Sequence, residues 1–371
     1  MNNEVIKKRR AAEAPSKLLA LEAPMSHFDI FLVNFSSLIV VSAPVWLPSL
    51  LVYTYKKWKN APKSTNEERR KRALYRNLLI GMLAVIIVGP HRHHKFGDLI
   101  NARKWRVWKA WLKYVSFEVI NDQKGEKNKT SSFDPKKDQA ILSFVPHGIV
   151  PYGLALAGLP QDAVDLIGPF RPVIASATKL FPMGRTLMGW MNSVEANKYK
   201  VNQALSQGDR IGVCPGGISE MFENYPKPGR HPDEECVILN SRKGFIKMAL
   251  KHNIPIIPIF NFGSSKLLKR WESPLLEKAS NILRVSICLC FGKYGLPLAF
   301  RKRLWYVIGQ ALHPSDLGVS DPSYISNLDE SSDEFRQYVD VMHTRFCDEI
   351  KYLFDKYKDD YGWGHRTLRI V

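Results

Sequence analysis

The chain has 371 residues, more than one small domain usually needs and enough to bury a sizeable core. Its 54 lysines and arginines against 35 acidic residues leave a net charge of +19, which calls for an anionic partner: nucleic acid, anionic lipid or a phosphorylated small molecule. At 45% hydrophobic and 24% charged it is neither a disordered chain nor a many-span membrane protein. Five scattered cysteines (Cys214, Cys236, Cys288, Cys290 and Cys347) fit neither a disulfide framework nor a four-thiolate zinc site. A reducing compartment is the simplest reading.

Residues 28–53, FDIFLVNFSSLIVVSAPVWLPSLLVY, carry a single formal charge, at Asp29. The stretch exceeds the ~20 residues that cross a bilayer as one helix and has no convincing cleavage site, so it reads as an anchor rather than a signal peptide. Pro44 and Pro48 should bend it, because each lacks a backbone donor and clashes with the preceding turn. A shorter apolar run, 78–90, suits one arm of a hairpin, an interfacial helix or a buried core helix. The tail with Lys7, Lys8, Arg9 and Arg10, the linker 54–77 with nine basic and two acidic residues, and residues 91–113 with seven basic and one acidic are all positive. Positive-inside logic puts all three on the cytosolic face, which favours re-entrant or shallow segments over a simple two-pass hairpin. The expected division is a basic cytosolic tail over 1–27, membrane-embedded segments with a basic linker over 28–92, and a cytosolic domain over 93–371, lying against the membrane surface.

Beyond residue 92, strand-like and helix-like segments alternate. Strands are predicted at 139–145, 172–177, 211–214, 254–262 and 305–309. Helices are predicted over 196–207, ending at Gly208, and 241–252, ending at Asn253, both residues suited to a left-handed C-cap. The closing helix is the clearest: Phe335, Val339, Met342, Phe346, Ile350, Leu353 and Tyr357 recur at three- or four-residue steps, with Ser331 and Glu334 matching a capping box. Such alternation implies an α/β layer structure with a mostly parallel sheet. Residues 122–138, polar and lysine-rich, read as a surface loop.

Several site types are excluded by inspection. The chain has no G-x-G-x-x-G, no G-x-x-x-x-G-K-[ST], and around Ser219 no second glycine of a nucleophile elbow. His91, His93 and His94 stand beside Arg92 and Lys95 and read as an interfacial basic cluster, not a metal site. Basic residues cluster at apolar boundaries without any nucleic-acid module, so no nucleic-acid partner is expected.

Two glycine-containing turns carry the chemistry. Val145-Pro146-His147-Gly148 follows the first predicted strand, and Cys214-Pro215-Gly216-Gly217-Ile218-Ser219-Glu220 follows the third. In an α/β sheet the carboxyl ends of the strands line the ligand crevice, so both turns can face one site. A histidine there can take a proton from an attacking hydroxyl. The amides of Gly148, Gly216 and Gly217 can approach a substrate closely and steady an oxyanion, and Glu220 can orient the imidazole or stabilise its cation. Taken alone, each turn is as well explained as a structural one. Arg242, Lys243 and Lys247 open a predicted helix where phosphates could bind, or form an ordinary solvated basic face. Residues 264–303, with nine basic and two acidic residues around ILRVSICLCF, read either as a second membrane-contacting patch or as a core strand with charged flanks.

The segments AILSFVPHGIVPYG, GVCPGGISEMFE and SRKGFIKMALKHNIPIIPIFNFGS resemble, in order and spacing, the successive motifs of type-2 diacylglycerol acyltransferases, a family that includes monoacylglycerol and wax-alcohol acyltransferases. The hydrophobic N-terminal segment, RKWRVWKAWLKY and LFDKYKDDYGW also fit, so the resemblance covers roughly 90–362. It implies a glycerolipid-acyltransferase-like domain behind a membrane anchor, in the endoplasmic reticulum membrane with lipid droplets as a further location. Acyl-CoA would be a substrate, with diacylglycerol and membrane lipids as partners and no cofactor or metal; homo-oligomerisation is left open. One departure stands out: family members carry His or Glu where this chain has Val145, while His147 is retained. His147 is therefore the residue carried over as catalytic. An acyl thioester is already activated, so His147 would act as general base without an acyl-enzyme; covalent transfer through Cys214 is the rival. A monoacylglycerol, fatty alcohol or sterol acceptor, and an inactive droplet scaffold, are the alternative functions.

Overall fold

The structure is a computed structural model that describes residues 24–88, 100–123, 134, 136–176, 178, 182–223, 231, 233–283, 288–319 and 321–371. The basic tail up to residue 23, the His91–His94 cluster and most of the 122–138 loop lie outside the described residues.

Seven strands form the central sheet: β1 (Phe117–Asn121), β2 (Ile141–Val145), β3 (Arg171–Ile174), β4 (Val194–Glu195), β5 (Ile211–Val213), β7 (Ile256–Phe262) and β10 (Leu304–Ile308). They run in the order β1-β10-β7-β2-β5-β3-β4. Only the β10–β7 join is antiparallel. A mostly parallel sheet must be covered on both faces, and side chains alternate between two apolar clusters. Leu142, Phe144, Ile257, Ile259 and Tyr306 face the first; Ile141, Val145, Ile256, Phe260 and Val307 face the second. The first face carries helices Arg106–Tyr114, Tyr152–Gly158 and Gln161–Ile167. The second carries Lys198–Ser206, Gly244–Lys251 and the long closing helix Asp333–Tyr361. Among the described residues two small sheets stand beside it: β6 (Glu234–Val237) with β11 (Thr367–Ile370), and β8 (Lys269–Arg270) with β9 (Cys290–Phe291).

All five predicted strands are present within a residue or three of their expected ends. Gly208 and Asn253 follow their helices at φ 82° and 50°, so both take the left-handed conformation expected of them. The closing helix starts one residue later than expected. Its cap is Ser332, whose Oγ accepts from the Phe335 amide at 3.1 Å, while Glu334 accepts from the Tyr324 hydroxyl instead of reaching back.

The N-terminal apolar stretch folds as helices His27–Val41 and Ala43–Asn60, bent by 68° at the break between them. Pro44 lies in the first turn of the second helix, where its ring cannot follow another helical turn; Pro48, expected to bend the chain too, is carried inside that helix. Among the described residues no single helix is long and apolar enough to cross a membrane, and this bent pair passes the test only jointly. Helix Asn66–Val88 leaves Leu78, Ile80, Val85 and Ile87 exposed, so the second apolar run is not a buried core helix. The first helix is also part of the globular unit. Asp29 pairs with Arg106 at 3.0 Å, Ser36 accepts from the Trp111 indole at 2.9 Å, and Ser37 donates to the Pro297 carbonyl at 2.9 Å.

Candidate active site

Strands β7, β2 and β5 are adjacent and parallel, so the turns that follow them emerge side by side at one edge of the sheet. β2 runs into a cis Val145–Pro146 bond, His147 and Gly148; β5 runs into Cys214–Gly217; β7 runs into Gly263 and the turn Ser264–Lys266. Packing leaves little freedom there. Gly148 has φ 73°, and a Cβ on it would stand 2.7 Å from the Ser264 carbonyl oxygen. The Ser264 hydroxyl, itself buried, points its proton at the carbonyls of Pro146 (3.0 Å) and Asn261 (3.1 Å). The β7 turn thus holds the β2 turn from behind.

His147 Nδ1 lies 2.6 Å from the Gly148 carbonyl oxygen. A carbonyl can only accept, so this contact assigns the proton to Nδ1 and leaves the lone pair on Nε2. Burial pushes the imidazole below its ordinary 6.5, more than the Gly148 bond raises it. The ring is therefore neutral near pH 7, in the tautomer of a base. Cys214 is nearly the converse: burial, and then the nearby Glu220 carboxylate, push its thiol far up, which disfavours the thiolate that covalent transfer needs.

Glu220, fully buried, stands on the first turn of helix Gly217–Glu223 and packs on Gly216: a Cβ there would be 1.8 Å from Glu220 Oε2. The two glycines differ. Gly217, at φ 54°, donates its amide to the Cys214 carbonyl at 3.2 Å and closes the turn, so it is not the free oxyanion donor expected of it. The amides of Gly148 and Gly216 make no hydrogen bond among the described residues and remain the candidate donors.

The two basic residues of the Ser-Arg-Lys-Gly-Phe motif and Lys247 just beyond it diverge. Arg242 reaches the site and donates to Ser219 Oγ at 2.7 Å, on the helix that carries Glu220. Lys243 caps the next helix and pairs at the surface with Asp340 at 2.7 Å. Lys247 faces a cavity on the second face of the sheet. Val145 is fully buried in the second cluster, opposite Phe260, and acts there as packing.

Sequence reasoning missed Asn261 and Ser264. Asn261 is fully buried, beside Gly153 on the first face, and neither its Oδ1 nor its Nδ2 finds a hydrogen-bond partner among the described residues. The available signal was a lone amide near the end of the otherwise apolar IPIIPIFNF; buried amides without partners are costly and concentrate where ligands bind.

The sequence profile described as diacylglycerol acyltransferase matches residues 75–370. Among curated relatives, diacylglycerol O-acyltransferase 2 of Danio rerio is 26% identical over 284 residues, 72% of each chain. The 2-acylglycerol O-acyltransferase 1 of Mus musculus is 25% identical over 287 residues, 72% of this chain and 77% of that one. A solved 1-acyl-sn-glycerophosphate acyltransferase from Thermotoga maritima gives a loose overlay, TM-score 0.37 at 15% identity, covering 87% of this chain and 95% of that one. With its profile match spanning most of its length, the chain belongs to the diacylglycerol acyltransferase family.

Proposed function

We propose that this protein transfers an acyl chain from acyl-CoA to the free hydroxyl of diacylglycerol, forming triacylglycerol at the endoplasmic reticulum membrane. The observation that carries this reading is the 2.6 Å contact between His147 Nδ1 and the Gly148 carbonyl, at the junction of three strand-end turns. It leaves Nε2 as the proton acceptor. As the acceptor hydroxyl attacks the thioester carbonyl, its proton passes to Nε2; the new C–O bond forms, the C–S bond breaks, and CoA leaves as the thiolate, which His147 can reprotonate. The amides of Gly148 and Gly216 would steady the tetrahedral oxyanion. Glu220 would favour the transient imidazolium. A neutral base with a depressed pKa suits this step, because the attacking alcohol stays protonated at neutral pH and needs a base already free of its own proton.

The test offers microsomes containing the protein radiolabelled acyl-CoA with diacylglycerol, monoacylglycerol, a fatty alcohol and a sterol in turn. Labelled triacylglycerol as the main product supports the reading. Label only in diacylglycerol, wax ester or sterol ester would move the acceptor, and no product with any acceptor would favour an inactive scaffold.

A further inference from the structure

A cavity of about 430 Å³ lies on the second face of the sheet, under helices Lys198–Ser206 and Gly244–Lys251. Its floor is Ile141, Ile211 and Val213, and its wall is Phe245 and Met248. The volume falls in the ~300–1,000 Å³ range of small-molecule sites. Three lysines stand at its rim against one carboxylate. Lys198 pairs with Glu330 at 2.8 Å, and Lys251 donates to the carbonyls of Ser326 and Leu328. Lys247, half-buried, makes no hydrogen bond or close ion pair among the described residues. A rim with a net positive charge over apolar walls suits an anion with a flat, partly apolar body.

Two placements narrow the ligand. The bent N-terminal helix pair docks on the first face, through Ser36, Ser37 and Val33, so the cavity opens on the side away from the most apolar part of the chain. A water-soluble ligand fits that side and a neutral glyceride does not. The cavity lies close along the chain to the candidate site, whose own residues stand outside its lining. Val213, in its floor, is followed directly by Cys214–Gly217, and Gly244, in its wall, is two residues from Arg242, which touches Ser219.

We infer that this cavity binds the nucleotide end of the acyl-CoA donor, with Lys198, Lys247 and Lys251 facing its phosphates and Phe245 and Met248 flanking the adenine. The inference rests on the acyl-CoA reading above and adds to it that donor and acceptor reach His147 from opposite faces of the sheet. Phosphates held by cations at a half-buried rim gain charge-assisted contacts without full desolvation.

The experiment uses the full-length protein in detergent micelles, with adenosine 3′,5′-bisphosphate and palmitate as separate probes. In the wild type the bisphosphate should compete with acyl-CoA. Lys247→Glu should raise the KM for acyl-CoA and weaken the bisphosphate roughly tenfold, the worth of one charge-assisted contact, leaving kcat and the diacylglycerol KM unchanged. Lys198→Ala provides the milder second variant, with a smaller shift in the same direction. Competition by palmitate without the bisphosphate, or an unchanged acyl-CoA KM in both variants, would overturn the inference. Direct bisphosphate binding to His147→Ala, read by tryptophan fluorescence, separates the two readings. Binding without turnover of any acceptor in the wild type would fail the proposed function and keep the cavity; turnover without binding would fail the cavity alone.

Discussion

Gly216→Ala displaces Glu220 without touching its carboxyl group, and moves the Gly216 amide with it. The added Cβ would stand 1.8 Å from Glu220 Oε2, 2.6 Å from its Cδ and 2.8 Å from its Cβ. Rotating the carboxylate relieves the first two contacts but not the third, because that Cβ is fixed to the helix backbone. The first turn of Gly217–Glu223 must therefore shift. Overpacking of this kind costs about 1–3 kcal/mol of stability, and a shift near 1 Å in a catalytic arrangement costs on the order of 100-fold in rate. Gly217→Ala is the control. Its Cβ meets nothing within 4 Å, its φ of 54° is strained for alanine by about 1–2 kcal/mol, and its amide stays in the turn. Initial rates of [14C]oleoyl-CoA transfer in proteoliposomes, normalised to folded protein, should fall roughly 100-fold for Gly216→Ala and less than tenfold for Gly217→Ala. A Gly216→Ala enzyme that keeps half the wild-type kcat would refute the idea that the chemistry depends on where Glu220 and the Gly216 amide stand.

The pH profile distinguishes the two nucleophile schemes. A neutral His147 must do the work, so kcat should hold through neutral pH and fall only as pH drops through a value below 6.5; a rate that climbs into the alkaline range would instead mark the Cys214 thiol, whose ionisation burial pushes upward. His147→Ala should lose ~100- to 10,000-fold in turnover, and Cys214→Ser should stay within a few-fold in the same assay. Asn261→Leu removes two buried polar atoms that have no partner among the described residues and should raise thermal stability by about 1–3 kcal/mol while lowering activity, as measured by melting and rate on one preparation; unchanged activity would leave Asn261 outside the reaction. Lys243→Ala breaks a surface pair with Asp340 and should change little, whereas Arg242→Ala frees the helix carrying Glu220 and should cut kcat; equal effects would point to a general role for the motif. Sodium carbonate washing should leave the protein in the membrane pellet, given the exposed Phe31, Val45, Val52, Leu78 and Val85, and its release would show that these helices cover protein instead.

The frame of the fold was legible where apolar runs are long. β2 and β7 are buried on both faces, and their largely apolar stretches announce them; the closing helix repeats its apolar positions from Phe335 to Tyr357. β1, FEVIN, was not recognised, since it breaks its apolar run with a charge, and β4 has two residues and little pattern to carry. β6 opens with two glutamates and exists as a strand through pairing with β11, some 130 residues later, which no local window senses. The site divides in the same way. His147 and the paired glycines announce themselves through their turns. Ser264, Asn261 and the Arg242–Ser219 contact arise only when separate strands are laid edge to edge. Divergence of Arg242, Lys243 and Lys247 depends on a helix beginning at Gly244, so that neighbours in sequence leave the backbone in different directions.

The docking of helix His27–Val41 bears on how the protein can be handled. Its serines accept from Trp111 and bridge the strand of backbone at Pro297–Ala299, and the Ser37 hydroxyl lies 3.5 Å from that of Tyr152, whose ring packs 5.2 Å from Trp111. Tyr152 begins the helix that follows Gly148 and His147. Trimming the apolar N-terminal stretch to obtain a water-soluble fragment would therefore strip a wall from the hydrophobic core and bare the rings of Trp111 and Tyr152, the latter on the helix that follows His147. A useful truncation ends before Ser26, keeps the first helix, and accepts detergent as the cost of an intact enzyme.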